Sequence, residues 1–94
     1  MRVLIGYDVC TIEKEGQKRL RRVAQACKDY GQRVQKSLFE CSVQPTDWVA
    51  LKGLLLNLVV PGEDSLRFYF LDKDTTIEHH GLAKPVDLEG PLIL

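Results

Sequence analysis

The chain has 94 residues, 45% apolar and 28% charged, with 13 basic and 13 acidic side chains and a formal net charge of zero. That length supports one domain with a modest core, and no apolar run approaches the roughly 20 residues that a membrane-spanning helix needs. Met1-Arg2 leads into a strand pattern and then a charged segment, with no apolar leader and cleavage site, so the expectation is a cytoplasmic protein whose mature form starts at Met1.

The zero total hides an asymmetry. Between Lys14 and Lys36 eight basic residues face two acidic ones, a net of +6; from Ser37 to Leu94 four basic residues face nine acidic ones, a net of −5. A polyanionic partner is therefore not excluded, because local fields steer encounter. Cys10, Cys27 and Cys41 are odd in number and form no Cys-x-x-Cys pair, so they read as reduced, small apolar residues.

In chain order, Val3 to Val9 has the length and β-branched content of a strand, with Val3, Ile5, Tyr7 and Val9 on one face and Leu4, Gly6 and Asp8 on the other. From Glu13 to Tyr30 the period becomes helical: Leu20, Val23, Ala24, Cys27 and Tyr30 form one stripe, and Gly31 is a stop signal. Gln32 to Val43 is extended, but its apolar parity flips near Ser37-Leu38, which indicates two strands separated by a bulge, bend or tight reversal. Pro45-Thr46-Asp47 opens a second helix with Thr46 or Asp47 as its cap, and Trp48, Leu51, Leu55, Leu58 and Val59 form its stripe up to Pro61-Gly62. Ser65 to Leu71 alternates as a strand. The order strand, helix, two strands, helix, strand is an α+β, ferredoxin-like βαββαβ arrangement with both helices on one sheet face.

Residues 1–72 form this core. Residues 73–94 read as an arm: a short strand at Thr75 to Glu78, an irregular stretch containing Pro85, and the apolar end Pro91-Leu92-Ile93-Leu94. Such an end suits strand addition to a neighbouring sheet edge, or folding back on its own domain. The sheet face left uncovered suits a two-fold dimer, which Gly6 would let approach closely.

Asp8 ends the first strand, where ligands of open α/β sheets gather, although an aspartate there also serves as a loop cap. One carboxylate is too few for a metal cage, but Mg²⁺ is often held by one or two carboxylates with water and phosphate. Lys18, Arg19, Arg21 and Arg22, followed by Arg33 and Lys36, could track a phosphate backbone without reading bases; the rival meaning is a solvated helix face. His79 and His80 fall on opposite faces of any strand, cannot grip one metal together, and read as a surface strand end. Tyr7 and Phe39 read as core aromatics. No zinc motif, phosphate-cradling glycine loop or nucleophile elbow is present.

Tyr7-Asp8-Val9, the run Tyr30 to Cys41 (YGQRVQKSLFEC), Asp64 to Tyr69 (DSLRFY) and the ending Leu82 to Ile93 (LAKPVDLEGPLI) occur in an order and spacing that resembles the small adaptation protein of CRISPR systems, the second of the two CRISPR-associated proteins needed for spacer acquisition. The resemblance spans Met1 to Leu94. It implies a ferredoxin-like homodimer whose C-terminal strand crosses to the partner's sheet, with Gly6, Leu92 and Ile93 at the interface. It implies one Mg²⁺ per dimer, shared by Asp8 of both chains, and nuclease activity on single-stranded RNA or duplex DNA, with Arg33 and Phe39 at positions linked to that activity. It also implies a bridge to the integrase subunit on which the dimer holds the middle of a prespacer duplex. Lys18, Arg19, Arg21, Arg22 and Lys36 match by location as backbone contacts. The rival readings are a non-enzymatic DNA scaffold, a stand-alone toxin-type ribonuclease and a ligand-binding regulatory domain, since fold does not fix function.

Overall fold

The computed structural model describes residues 1–72 and 76–82. Its elements are β1 (Arg2–Asp8), α1 (Lys14–Tyr30), β2 (Gly31–Gln35), β3 (Leu38–Ser42), α2 (Pro45–Leu58), β4 (Ser65–Phe70) and β5 (Thr76–Gly81). The five strands form one antiparallel sheet in the order β2-β3-β1-β4-β5. The first four have the ferredoxin-like order, with β1 central.

One sheet face is buried beneath the helices. Val3, Ile5 and Tyr7 of β1 meet Phe39 and Cys41 of β3 and Leu66 and Phe68 of β4, and all join Val23, Ala26 and Cys27 of α1 and Trp48, Leu51 and Leu55 of α2 in a single core. Trp48 packs edge-on against Phe68 and Phe70, at 4.8 and 5.5 Å between ring centroids. The opposite face carries Leu4, Gly6 and Asp8 from β1, Leu38 from β3, Arg67 and Tyr69 from β4, and Ile77 and His79 from β5.

The parity flip at Ser37-Leu38 has two causes. A two-residue turn at Lys36 and Ser37 reverses the chain, and the β2–β3 register slips between Arg33 and Gln35, which leaves Val34 bulged and exposed. The turn is fastened to β1, where the Tyr7 N–H donates to the Ser37 carbonyl at 3.1 Å.

Two expectations change. Gln44 rather than Thr46 or Asp47 precedes the first turn of α2, with no side-chain cap bond; Pro45 occupies the first helical position, where its missing N–H costs nothing. The short strand expected after Asp72 runs further than Glu78 and takes the fold-back course left open by the sequence. Thr76 to Gly81 pairs with β4 of the same chain along its whole length, so His79 and His80 lie within a strand instead of at its end. Gly81 closes it with a φ of 98°, and a Cβ there would lie 2.0 Å from the Asp64 carbonyl oxygen, so only glycine fits. Residues 83–94, with Leu92 and Ile93, lie outside the described residues.

Asp64 is fully buried just before β4. Its carboxylate accepts from the Cys10 N–H at 3.0 Å, the Val60 N–H at 2.8 Å, and Arg19 Nε and a terminal guanidinium nitrogen at 2.9 and 3.2 Å. Its carbonyl accepts from the Leu82 N–H at 2.9 Å. Burial alone pushes the carboxyl pKa up, but the Arg19 pair and the two backbone N–H groups outweigh it and hold the pKa below the ordinary aspartate range.

A folded-state pKa that is lowered stabilises the fold above the unfolded value, near pH 4, and the gain is lost as pH falls through the lower folded value. Asp64→Ala leaves Arg19 and two N–H groups without their acceptor, and is expected to cost about 3 kcal/mol and lower Tm by about 12 °C or more at pH 7. Asp64→Asn removes the acid-linked loss, so its Tm is expected to fall less steeply than the parent's between about pH 4 and pH 2. Thermal melts across that range test both.

Candidate functional site

Asp8 is the last residue of β1, opposite Ser65 of β4, and is exposed. Val9 then turns back into the core, so the strand delivers a carboxylate to the surface at the end of a run whose alternate residues Val3, Ile5 and Tyr7 are buried. The cleft beside it, of about 500 Å³, lies between the end of β1, the middle of α1 and the β2–β3 turn. Tyr7, Asp8, Leu20, Arg21, Ala24, Arg33, Lys36 and Ser37 line it. The structure therefore brings Asp8, Arg21, Arg33 and Lys36 together from separate segments.

Arg33 is held from beneath. Its guanidinium carbon lies 5.0 Å from the centroid of the Phe39 ring, directly across the β2–β3 register, and the Tyr7 ring stacks on Phe39 at 6.1 Å. Phe39 has no exposed surface, so it touches no ligand itself; what it offers is a platform for Arg33. Burial pushes the Tyr7 hydroxyl pKa up, an effect that its hydrogen bond to Arg33 opposes without cancelling, so Tyr7 stays protonated at neutral pH.

The basic run of α1 divides into two sets. Arg19 points inward to Asp64 with its side chain 14% exposed, and its guanidinium is occupied there. That removes it from the phosphate-tracking set: a helix turning about 100° per residue cannot present four near-consecutive side chains on one face. Lys18, Arg21 and Arg22 remain on the surface and line a shallow groove with Gln25, so Arg21 borders both the groove and the Asp8 cleft.

Among the described residues no group of three or more His, Cys, Asp or Glu side chains could hold a metal ion. Asp8 is still a fitting single donor for Mg²⁺, being an exposed hard oxygen ligand with room for water and phosphate beside it. His79 and His80 have separate partners, as their alternation requires. His79 Nε2 lies 3.3 Å from Ser65 Oγ on the open face, whereas His80 and Lys52 both meet Glu78 at 2.7 Å on the helix side. The hydrogen bond to His80, followed by Lys52, holds the Glu78 carboxyl below its ordinary pKa.

The model of the family described as CRISPR associated protein Cas2 matches residues 1–77. The chain belongs to the Cas2 family. It is 54% identical over 96 residues to a Chlorobaculum tepidum protein named CRISPR-associated endoribonuclease Cas2, covering all of both chains. It is 52% identical over 95 residues to a Halalkalibacterium halodurans protein named CRISPR-associated endonuclease Cas2, covering 99% of each. The crystal structure of Streptococcus pyogenes Cas2 at pH 6.5 superposes with a TM-score of 0.71 at 53% identity, over 79% of this chain and 89% of that one. The α+β, ferredoxin-like architecture is thus that of a Cas2 fold.

Asp64 was missed as a structural residue because an Asp-Ser pair before a strand reads as turn polarity; its spacing to Arg19 carries no local signal. The division of labour in α1 gives a direct test. Arg19→Gln is expected to lower Tm clearly, whereas Arg22→Gln leaves stability within about 0.5 kcal/mol of the parent. Melts of the two variants side by side check this.

Proposed function

We propose that this Cas2-family chain acts as a symmetric dimer that binds nucleic acid through its backbone and cleaves phosphodiester bonds at a site centred on Asp8. The observation that carries the reading is the convergence of Asp8 with Arg21, Arg33 and Lys36 on one cleft, a carboxylate beside three phosphate-seeking cations. The names of the Chlorobaculum tepidum and Halalkalibacterium halodurans relatives, an endoribonuclease and an endonuclease, support hydrolysis of RNA or DNA.

The open sheet face supports the dimer. Leu4, Leu38 and Tyr69 are half-buried, and Ile77 is 49% exposed, on a face that neither α1 nor α2 covers among the described residues. At Gly6 a Cβ would meet only Leu38 and Tyr69 side chains, at 3.5 and 3.9 Å, so the chain's own packing does not require glycine there. A second copy approaching closely accounts for it. Asp8 lies at the margin of this face, and two copies related by a two-fold axis bring their Asp8 carboxylates to one shared Mg²⁺. When bound, the ion supplies polarisation of a phosphoryl oxygen and a more acidic water. Arg33, fixed over Phe39, offers its planar N–H fork to the non-bridging phosphate oxygens. Lys18, Arg21 and Arg22 hold the flanking backbone, and in CRISPR adaptation the same surface holds a prespacer duplex while the dimer bridges integrase subunits.

The rival is a scaffold that binds DNA without cutting. It is favoured by the groove of Lys18, Arg21, Arg22 and Gln25, in which only Arg21 also borders the Asp8 cleft, so backbone contacts there do not need Asp8. Cleavage assays separate the two readings. With Mg²⁺ and purified protein, Asp8→Asn is expected to abolish cleavage by more than the roughly 10–100-fold typical of losing a metal's outer partners, with duplex affinity retained. A folded Asp8→Asn protein that cuts like the parent would overturn the Asp8 assignment. Duplex affinity should fall with salt at a logarithmic slope of about −5 if three cations per protomer each neutralise one phosphate; a flat salt response would remove backbone binding.

A further inference from the structure

We infer that the cleft between α1 and the β2–β3 turn is a mononucleotide-sized site that takes one nucleoside 5′-monophosphate unit, its phosphate among Arg21, Arg33 and Lys36 and its sugar or base against Leu20 and Ala24. The cleft has two chemically different sides. Arg21 comes from α1, Arg33 from β2 and Lys36 from the turn, so three cations converge from segments with independent backbone supports. Leu20 and Ala24, one helical turn apart, supply an apolar wall that a bare anion site does not need. The Tyr7 hydroxyl completes the lining, next to Arg33.

Size sets the ligand. A cleft of about 500 Å³ falls within the range of small-ligand sites, roughly 300–1,000 Å³, and suits one nucleotide better than a duplex about 20 Å across. Its cations are also organised more than a solvated face would be. Phe39 carries Arg33 from below, and the Tyr7–Ser37 backbone bond fixes the turn that bears Lys36. The duplex surface proposed above lies along Lys18, Arg21 and Arg22, and this cleft opens beside Asp8 with Arg21 on the border of both; the inference deepens the nuclease reading, with which it shares Arg21, Arg33 and Lys36, but does not need Asp8.

Two sources share this chemistry: the phosphorylated end of a single strand and a free nucleotide. Calorimetric titration with adenosine 5′-monophosphate, adenosine and inorganic phosphate tests the site. The monophosphate is expected to bind at least about tenfold more tightly than either part. Lys36→Ala is expected to weaken it about tenfold with Tm retained, through the phosphate, and Leu20→Ala, at a residue that also packs on the core, to weaken it severalfold through the wall at a temperature well below the variant's own Tm. A monophosphate that binds no better than phosphate, or equally well to both folded variants, overturns the inference. If a 5′-phosphorylated single strand gains tenfold over its 5′-hydroxyl form, the source is a strand end; equal binding of the two strands, with the free monophosphate still bound, assigns a free nucleotide. The titration is repeated on Asp8→Asn. Retained binding there keeps the cleft whether or not cleavage survives, so failure of the nuclease reading and failure of this one are distinguished.

Discussion

The buried Asp64 ties together four separate parts of the chain at one point. It holds the loop after β1 through Cys10, the first half of α1 through Arg19, the exit from α2 through Val60 and, through its own carbonyl, the exit from β5 at Leu82. All of these lie at the end of the sheet where Asp8 emerges. A buried charge is costly unless its partners satisfy it, and here Arg19 and two backbone donors do so. Among the described residues no buried side-chain polar atom is left without a hydrogen-bond partner. The rigid frame around Asp8 and the cleft therefore follows from one group that water cannot reach.

That arrangement changes how the charge of the chain is read. The cations between Lys14 and Lys36 are consecutive in sequence but not in space. Arg19 neutralises an interior acid, Arg33 lies on an aromatic ring, and Arg21 and Lys36 border the same opening from different elements. The acids on the other half are similarly divided, since Glu78 is engaged by Lys52 and His80 and Asp64 is interior. A formally neutral protein can then present a local cluster of positive charge, because the acids that balance it are paired elsewhere.

Much of the fold was legible because it rests on local periodicity. The alternation of Val3, Ile5 and Tyr7, the helical stripe of Val23 and Cys27, and the alternation of Leu66 and Phe68 each report burial directly, and each is buried. Asp8 was legible as a carboxylate delivered by a strand. What was hidden depended on contacts between distant residues. Nothing near Arg19 distinguishes it from Arg21, and the distinction appears only when Asp64, far along the chain, is placed against it. Phe39 was legible as a core residue, but its role under Arg33 depends on the β2–β3 register, which a one-residue slip sets. β5 was only half legible: its helix-side residues Thr76, Glu78 and His80 are polar while Ile77 lies on the open face, so no alternation with a buried apolar side marks the strand.

The central place of β1 has a consequence for how the protein is made. β1 is synthesised first, yet it pairs on both sides, with β3 and with β4, and β4 begins only at Ser65. At about 5–20 residues per second, a nascent chain spends seconds with one edge of this apolar strand unpaired. Long, flat apolar edges recruit other strands. Gly6 and Asp8 are poor strand formers and interrupt the even face of that edge. The same two residues that suit an assembled site thus make β1 a poor template for aggregation while the ribosome is still producing its partner.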